Sequence, residues 1–257
     1  MTRSEIKADK IREKYKLNKI EYNTLEDLAF AMGAFVDYKK IWGAQGRIVK
    51  AIEKSKAIII INSDITYGPK RKFVLAHEIG HFLLHNNIRI FICDDNDFHD
   101  WNRKNREETE ANEFAAELLI PQSVLRDKTS GMQPEMSLLK EIARSFGTSV
   151  TATLYQFVVN GPVPCCIVFS RNGRIEWFKE SSDFNIGYIN TSVDVPSQSV
   201  AHDYYKKGAK YDEKEVVLAT TWYHGQNVKS DLYLYEQCHY LDSLNAVLSL
   251  LWVCEDY

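Results

Sequence analysis

The 257 residues carry 45% apolar side chains and a formal net charge of −3. That is enough apolar material for one large core or two modest ones, and the charge does not suit a general nucleic-acid surface. No apolar run approaches the roughly 18 residues of a membrane span. Met1-Thr2-Arg3-Ser4-Glu5-Ile6-Lys7 has no apolar stretch behind it, so neither a transmembrane helix nor a signal peptide is expected. Cys93, Cys165, Cys166, Cys238 and Cys254 are odd in number, irregularly spaced and free of any C-x-x-C pair. They read as reduced thiols of a cytoplasmic protein, not as a disulfide framework or a cysteine zinc site.

In chain order, residues 4–17 read as a charged helix and residues 25–33 as a second. Leu25, Leu28, Ala29 and Met32 stand at the spacing of a buried stripe, and Gly33 ends it. Strands follow at Ala34 to Tyr38, Arg47 to Ile52 and Ala57 to Ile61. The last, Ala57-Ile58-Ile59-Ile60-Ile61, is a continuous β-branched run of the kind found in the middle of a sheet. Asn62-Ser63-Asp64 stops it, Tyr67-Gly68-Pro69 makes a turn, and a helix begins near Lys70 or Arg71.

That helix contains His77-Glu78-Ile79-Gly80-His81, an H-E-x-x-H pattern. Residues four apart share a helix face. His77 and His81 therefore point at one place, and Glu78 stands beside them as a general base for water at a metal. Apolar residues from Phe73 to Leu84 surround the motif on every side, which marks a buried helix. Two histidines and a glutamate inside it are costly without partners, and a metal supplies one. The plainer alternative is a buried helix whose histidines are satisfied by hydrogen bonds. His85, one turn beyond His81, has three readings, a fourth ligand, a substrate contact or a helix-end packing residue, and packing is favoured because a fourth protein ligand would close the position that a catalytic zinc keeps for water.

Residues 86–100 read as loop with a short apolar piece at Ile88–Cys93. Asp94, Asp95 and Asp97 lack the glycine and distant glutamate of a calcium loop and read as solvated acid. A helix from Asn105 to Leu119 ends at Pro121, with Ala111, Phe114, Ala115, Leu118 and Leu119 as its core stripe. At about 100° per residue, Glu110, Glu113 and Glu117 face away from that stripe and read as solvated charge, whereas Glu107 and Glu108 fall roughly 50° to either side of its centre. One of those two is drawn inward, and both are candidates for a third ligand.

The run Lys72-Phe73-x-Leu75-Ala76-His77-Glu78-Ile79-Gly80-His81, followed by Glu108-x-x-Ala111-Asn112-x-Phe114-Ala115-Ala116-x-Leu118-Leu119-x-Pro121, resembles the ImmA/IrrE family of zinc metallopeptidases over about residues 25–160. The resemblance implies an α+β, zincin-like domain in which the metal helix packs on a small sheet. It implies Zn2+ held by His77, His81 and Glu108, with Glu78 as the catalytic base and Asn112 hydrogen-bonded to a ligating histidine. The family usually has Arg-Phe where this chain has Lys72-Phe73, with Arg71 one residue earlier.

Residues 122–128 read as a short helix. Ser137–Phe146, Gly147 and a helix from Ser149 to Val159 form a helix-turn-helix-like unit, with Gly147 suited to a helix end and Ser149 to an N-cap. The second helix carries no Lys or Arg, the residues that supply phosphate affinity, so direct nucleic-acid binding is not expected. Gly161-Pro162-Val163-Pro164 marks a boundary. Strands are expected at Cys165–Ser170, Ile175–Lys179, Glu215–Trp222 and Asp231–Gln237, with a hairpin turn at Arg171-Asn172-Gly173 and a helix within Pro196–Lys207. The closing run, Ser243 to Trp252, is apolar and amphipathic. His202, His224 and His239 are scattered and read as structural.

The chain is thus expected to hold a metallopeptidase domain over residues 1–130, a helical extension over 131–160, and a smaller C-terminal α+β domain over 161–257. In some relatives a domain of that last kind is GAF-like, which suggests a sensor or partner surface. The expected function is a cytoplasmic zinc endopeptidase. The resemblance implies a protein substrate, often a helix-turn-helix repressor cut in a stress, mobile-element or toxin–antitoxin circuit. The alternative is a metal-bearing regulatory protein that binds a partner with little or no proteolysis. An intact Glu78 favours the enzyme, since a pure binder has no use for it. A DNA-binding regulator is disfavoured by charge.

Overall fold

The computed structural model describes residues 1–18, 20–50, 56–85, 90–93, 106–226 and 228–255. The acidic stretch Asp94, Asp95 and Asp97 lies outside them, as do Asn105 and the end of the second expected strand, Ala51 and Ile52. The chain mixes helices with two sheets and divides into two compact units. One is Met1–Pro121 with Ala143–Ser149; the other is Gln122–Ile142 with Val150–Tyr257.

In the first unit, α1 (Arg3–Tyr15) opens on a capping box, with Glu5 N–H donating to Thr2 Oγ1 and Thr2 N–H to Glu5. Helix α2 (Tyr22–Ala31) leads through Gly33 into β1 (Ala34–Lys39), then β2 (Gly46–Lys50) and β3 (Ala57–Asn62). The apolar piece before the acidic stretch supplies a fourth strand, β4 (Ile90–Cys93). The sheet order is β1-β3-β2-β4, with β1 and β3 parallel and the other two pairings antiparallel. The isoleucine run is an interior strand, as its composition indicates, but only one of its faces is covered. Ile59 and Ile61 are buried, while Ile58 and its register partner Phe35 are about half exposed, at 49% and 51%.

Helix α3 (Gly68–Leu84) lies on the covered face against β2 and β3. It begins earlier than expected because Pro69, read as a turn residue, occupies the first turn, where a missing N–H costs nothing. Helix α4 (Arg106–Leu119) packs along α3. The expectation that Glu117 is solvated is wrong: it is 1% exposed. Helix α1 packs on α4 and covers a second face. Arg12 of α1 donates to the Leu118 carbonyl at 2.5 Å and interacts electrostatically with Glu117.

The second unit takes α5 (Gln122–Thr129), most of α6 (Met136–Phe146), α7 (Val150–Asn160) and an antiparallel sheet. That sheet contains β5 (Cys165–Arg171), β6 (Arg174–Glu180), β7 (Glu215–Leu218), β8 (Tyr233–Leu241) and β9 (Ala246–Val253), in the order β6-β5-β9-β8-β7. The hairpin falls at Asn172-Gly173, both with positive φ, as a tight two-residue turn requires. The strand expected over Glu215–Trp222 stops at Leu218 and gives way to a helical turn, α9 (Ala219–Trp222). The closing run is not amphipathic in place. After a 3₁₀ turn it becomes β9, buried at seven of eight positions. Helix α8 (Val200–Lys207) is tied to the sheet by Glu236, whose buried carboxylate accepts from the N–H groups of Val200 and Ala201, from Trp222 Nε1 and from Ser249 Oγ. Cys165, Cys166, Cys238 and Cys254 are free thiols and buried, and burial pushes the Cys165 thiol up to about 12.

Candidate metal centre

The site is built where α3 and α4 meet. Gly80 of α3 lets the two backbones close: a Cβ there would stand 3.2 Å from both Cα and O of Ala111. Glu108 lies three residues before Ala111, so this approach carries its carboxylate to the histidines. His77 Nε2 and His81 Nε2 are 2.9 Å apart. Glu108 Oε2 is 3.1 Å from His77 Nε2, and Glu108 Oε1 is 3.3 Å from His81 Nε2. His77, Glu78 and His81 are fully buried and Glu108 is nearly so, at 6%. Among the described residues, His77, His81 and Glu108 form the group of side chains whose donor atoms converge closely enough to hold an ion. Of the two inward candidates on α4, it is Glu108 that reaches the histidines.

Hydrogen bonds outside the cluster set which nitrogen each ring presents. Asn112 Oδ1 lies 2.8 Å from His77 Nδ1. A carbonyl oxygen only accepts, so Nδ1 donates and Nε2 keeps its lone pair. On the other ring the chain of contacts is longer. Glu110, held by Arg106 Nε at 2.7 Å, accepts from His85 Nε2 at 3.1 Å. In a neutral His85, Nδ1 is then an acceptor, and His81 Nδ1, at 3.0 Å, donates to it. His81 Nε2 is therefore also bare. Burial lowers the pKa of His85 despite Glu110, in keeping with the neutral ring. The expectation that His85 merely packs is thus replaced: it is the hydrogen-bond partner of His81.

Two bare nitrogens and a carboxylate pointed at one small space repel unless a positive charge sits among them. Burial opposes charge on His77, but Glu108 and Glu78 outweigh it and raise its pKa. Burial and the neighbouring His77 push His81 down to about 3. Burial would raise Glu108, yet its hydrogen bonds to the two histidines hold it far below the ordinary carboxylate range. A single proton on His77 satisfies one of these contacts. A divalent cation satisfies all three, and a donor set of two imidazoles and one carboxylate suits a catalytic zinc with an open position. The residues present fit such an ion.

Two lysines that hold the motif helix carry a weaker signal in the sequence. Lys50 Nζ donates to the carbonyls of His81, Phe82 and His85, at 2.8, 3.2 and 2.6 Å, and so caps the C-terminal end of α3. Its mark is a cation on the core-facing side of β2, two residues beyond the buried Ile48. Lys72, which stands where the family usually has arginine, is 4% exposed and donates to the Phe146 carbonyl at the end of α6. Arg71 donates to the Ile65 carbonyl instead.

The IrrE N-terminal-like domain family matches residues 32–157, which include every residue of this cluster. The chain is 28% identical over 138 residues to the radiation response metalloprotease IrrE of Deinococcus radiodurans, covering 53% of this chain and 42% of that protein. It is 35% identical over 109 residues to the protein of the same name from Deinococcus deserti, covering 41% and 37%. The aligned segment thus spans about two fifths of the length of these curated relatives. The solved structure of a Mycobacterium tuberculosis transcriptional regulator has a similar fold, with a TM-score of 0.65 at 12% identity over 98% of this chain and 77% of that one. Among the described residues no helix is long and apolar enough to cross a membrane. Residues 32–157, which carry the His77, His81 and Glu108 cluster, are an IrrE N-terminal-like domain, the domain of the ImmA/IrrE family of metallopeptidases.

Proposed function

We propose that the protein is a cytoplasmic, zinc-dependent endopeptidase that cuts a protein substrate, a helix-turn-helix repressor being the class favoured by the family resemblance. The observation that carries this reading is the convergence of His77 Nε2, His81 Nε2 and the Glu108 carboxylate, with Glu78 next in sequence to the first histidine. His77, His81 and Glu108 would hold the zinc, and Asn112 would fix the His77 ring. Zinc, when bound, supplies Lewis acidity towards a peptide carbonyl and towards water. Glu78 accepts the proton from the attacking water at its carboxylate and delivers it to the leaving amine. Residues 131–160 are read as a helical extension and residues 161–257 as a sensor or partner-binding domain of GAF-like kind.

The second reading, a metal-bearing regulator that works by binding alone, draws support from the Mycobacterium tuberculosis neighbour, a transcriptional regulator by name. Glu78→Gln separates the two. It keeps the shape and removes the proton acceptor. Wild type and variant are loaded with zinc, mixed with the helix-turn-helix repressor encoded nearest the gene, and sampled over time on a gel. The variant is expected to keep its zinc and its fold, to bind the repressor, and to cut at least about 10²-fold more slowly. Equal cutting by both proteins overturns the mechanism. No cutting by either, with repressor function altered by both, favours the regulator.

A further inference from the structure

Strand β2 passes directly beneath Glu78, and the residue at that point is Gly46. A Cβ on Gly46 would stand 2.3 Å from Glu78 Oε1, 3.0 Å from Glu78 Cδ and 2.9 Å from Val74 Cγ1. The first and last of these are distances that real Cβ atoms do not reach, so any side chain at this position must displace something. The backbone gives no reason of its own for a glycine: Gly46 is not among the residues with positive φ, and it pairs in regular register with Ile61 on one side and Cys93 on the other. An alanine would fit the strand. What it would not fit is the pair above it, the Glu78 carboxylate and Val74.

The neighbours differ in how readily they give way. Val74 is β-branched and stiff on its helix. The Glu78 carboxylate sits at the end of three rotatable bonds. Glu78 is also fully buried, so a displaced carboxylate leaves its present place for another inside the protein. Glu78 is the next residue after His77 on α3.

We propose that Gly46 is a positioning residue for Glu78: the missing side chain on β2 is the recess in which the carboxylate is seated beside the histidine cluster. Its effect on cleavage rests on the peptidase reading, whereas its effect on the fold does not.

The test is a double-mutant cycle on the full chain, with wild type, Gly46→Ala, Glu78→Ala and the double variant. Thermal unfolding is measured on all four after removal of metal by a chelator, and zinc content after reloading with Zn2+. Gly46→Ala is expected to lower the unfolding midpoint when residue 78 is glutamate and to lower it less when residue 78 is alanine, because only the contact with Val74 then remains. Equal losses in the two backgrounds overturn the proposal. If Gly46→Ala alone does not fold, recovery of folding in the double variant supports it, and failure of both overturns it.

Cleavage of the repressor tests the positioning role separately. Gly46→Ala is expected to keep wild-type zinc content and KM while kcat falls on the order of 10²-fold, the scale of a misplaced reacting group. A wild-type kcat in a folded, zinc-loaded Gly46→Ala protein overturns the positioning role. A wild type that cuts nothing defeats the peptidase reading and leaves the stability cycle to decide the seat.

Discussion

His81 and His85 face each other through their Nδ1 atoms at 3.0 Å, and Glu110 receives the far side of His85. This relay leaves His81 Nε2 bare, as Asn112 does for His77. His85→Phe keeps a ring of similar bulk and removes the acceptor. It is expected to weaken metal binding by about 10–100-fold, the usual cost of losing a partner of a ligating histidine. Asn112→Ala is expected to cost a similar amount. Competition with a chelator of known affinity measures both, and an unchanged affinity in His85→Phe would show that the relay does not orient His81.

Glu108 and Glu107 are neighbours with different fates. Glu108→Ala should abolish stoichiometric zinc, since it removes one of three converging groups. Glu107→Ala should retain zinc and change stability by no more than about ±0.5 kcal/mol, as a residue outside the cluster. Metal analysis of the two purified variants decides, and zinc loss confined to Glu107→Ala would move the ligand by one position.

Lys50 bonds three carbonyls at the end of α3. Replacement by methionine keeps the stem and removes the donors. A net loss of about 1–3 kcal/mol is expected from bonds worth roughly 1 kcal/mol each, together with weaker zinc binding, because the capped turn carries His81. Denaturant unfolding and metal competition read the two effects, and a variant as stable as wild type would deny the cap any weight.

His239 on β8 has its pKa pushed down to about 4, first by burial and then by nearby Lys140. The unfolded chain titrates this ring near 6.5. Between those values the unfolded state binds a proton that the folded state refuses, so stability falls as pH drops from about 6.5 towards 4 and this contribution is constant below. His239→Gln should flatten that decline by about 1–3 kcal/mol. Unfolding free energies at pH 7 and pH 4.5, wild type against variant, test it. Equal slopes would show that the ring does not stay neutral in the fold.

What can be read from the chain alone follows the range of each interaction. His77 and His81 are one helical turn apart, so their convergence is a local fact. Glu108 lies on another helix, and periodicity narrows the choice to two neighbours that only the family pattern can separate. Glu117 escapes the helical period because α1, from the other end of the unit, supplies the cover that makes it buried. The role of His85 is hidden for the same reason, since its partner Glu110 is remote in sequence. The closing run gives a misleading period, because a strand covered on both faces is apolar almost throughout, here at every position but Ser249.

The place of β9 has a consequence for synthesis. This strand is the last of its sheet to be made, yet it lies in the middle, between β5 and β8. The hairpin of β5 and β6, and the pair β7 and β8, lack the strand that joins them in the sheet until residue 253 has left the ribosome. Chains emerge at about 5–20 residues per second. From the completion of β5 at Arg171, more than 80 further residues, the half-built sheet therefore waits for at least several seconds with its central edges open. Open strand edges invite pairing with other chains. A ribosome stalled anywhere in that interval holds a second unit that cannot close, so arrest there is expected to send the nascent chain to chaperones or proteases.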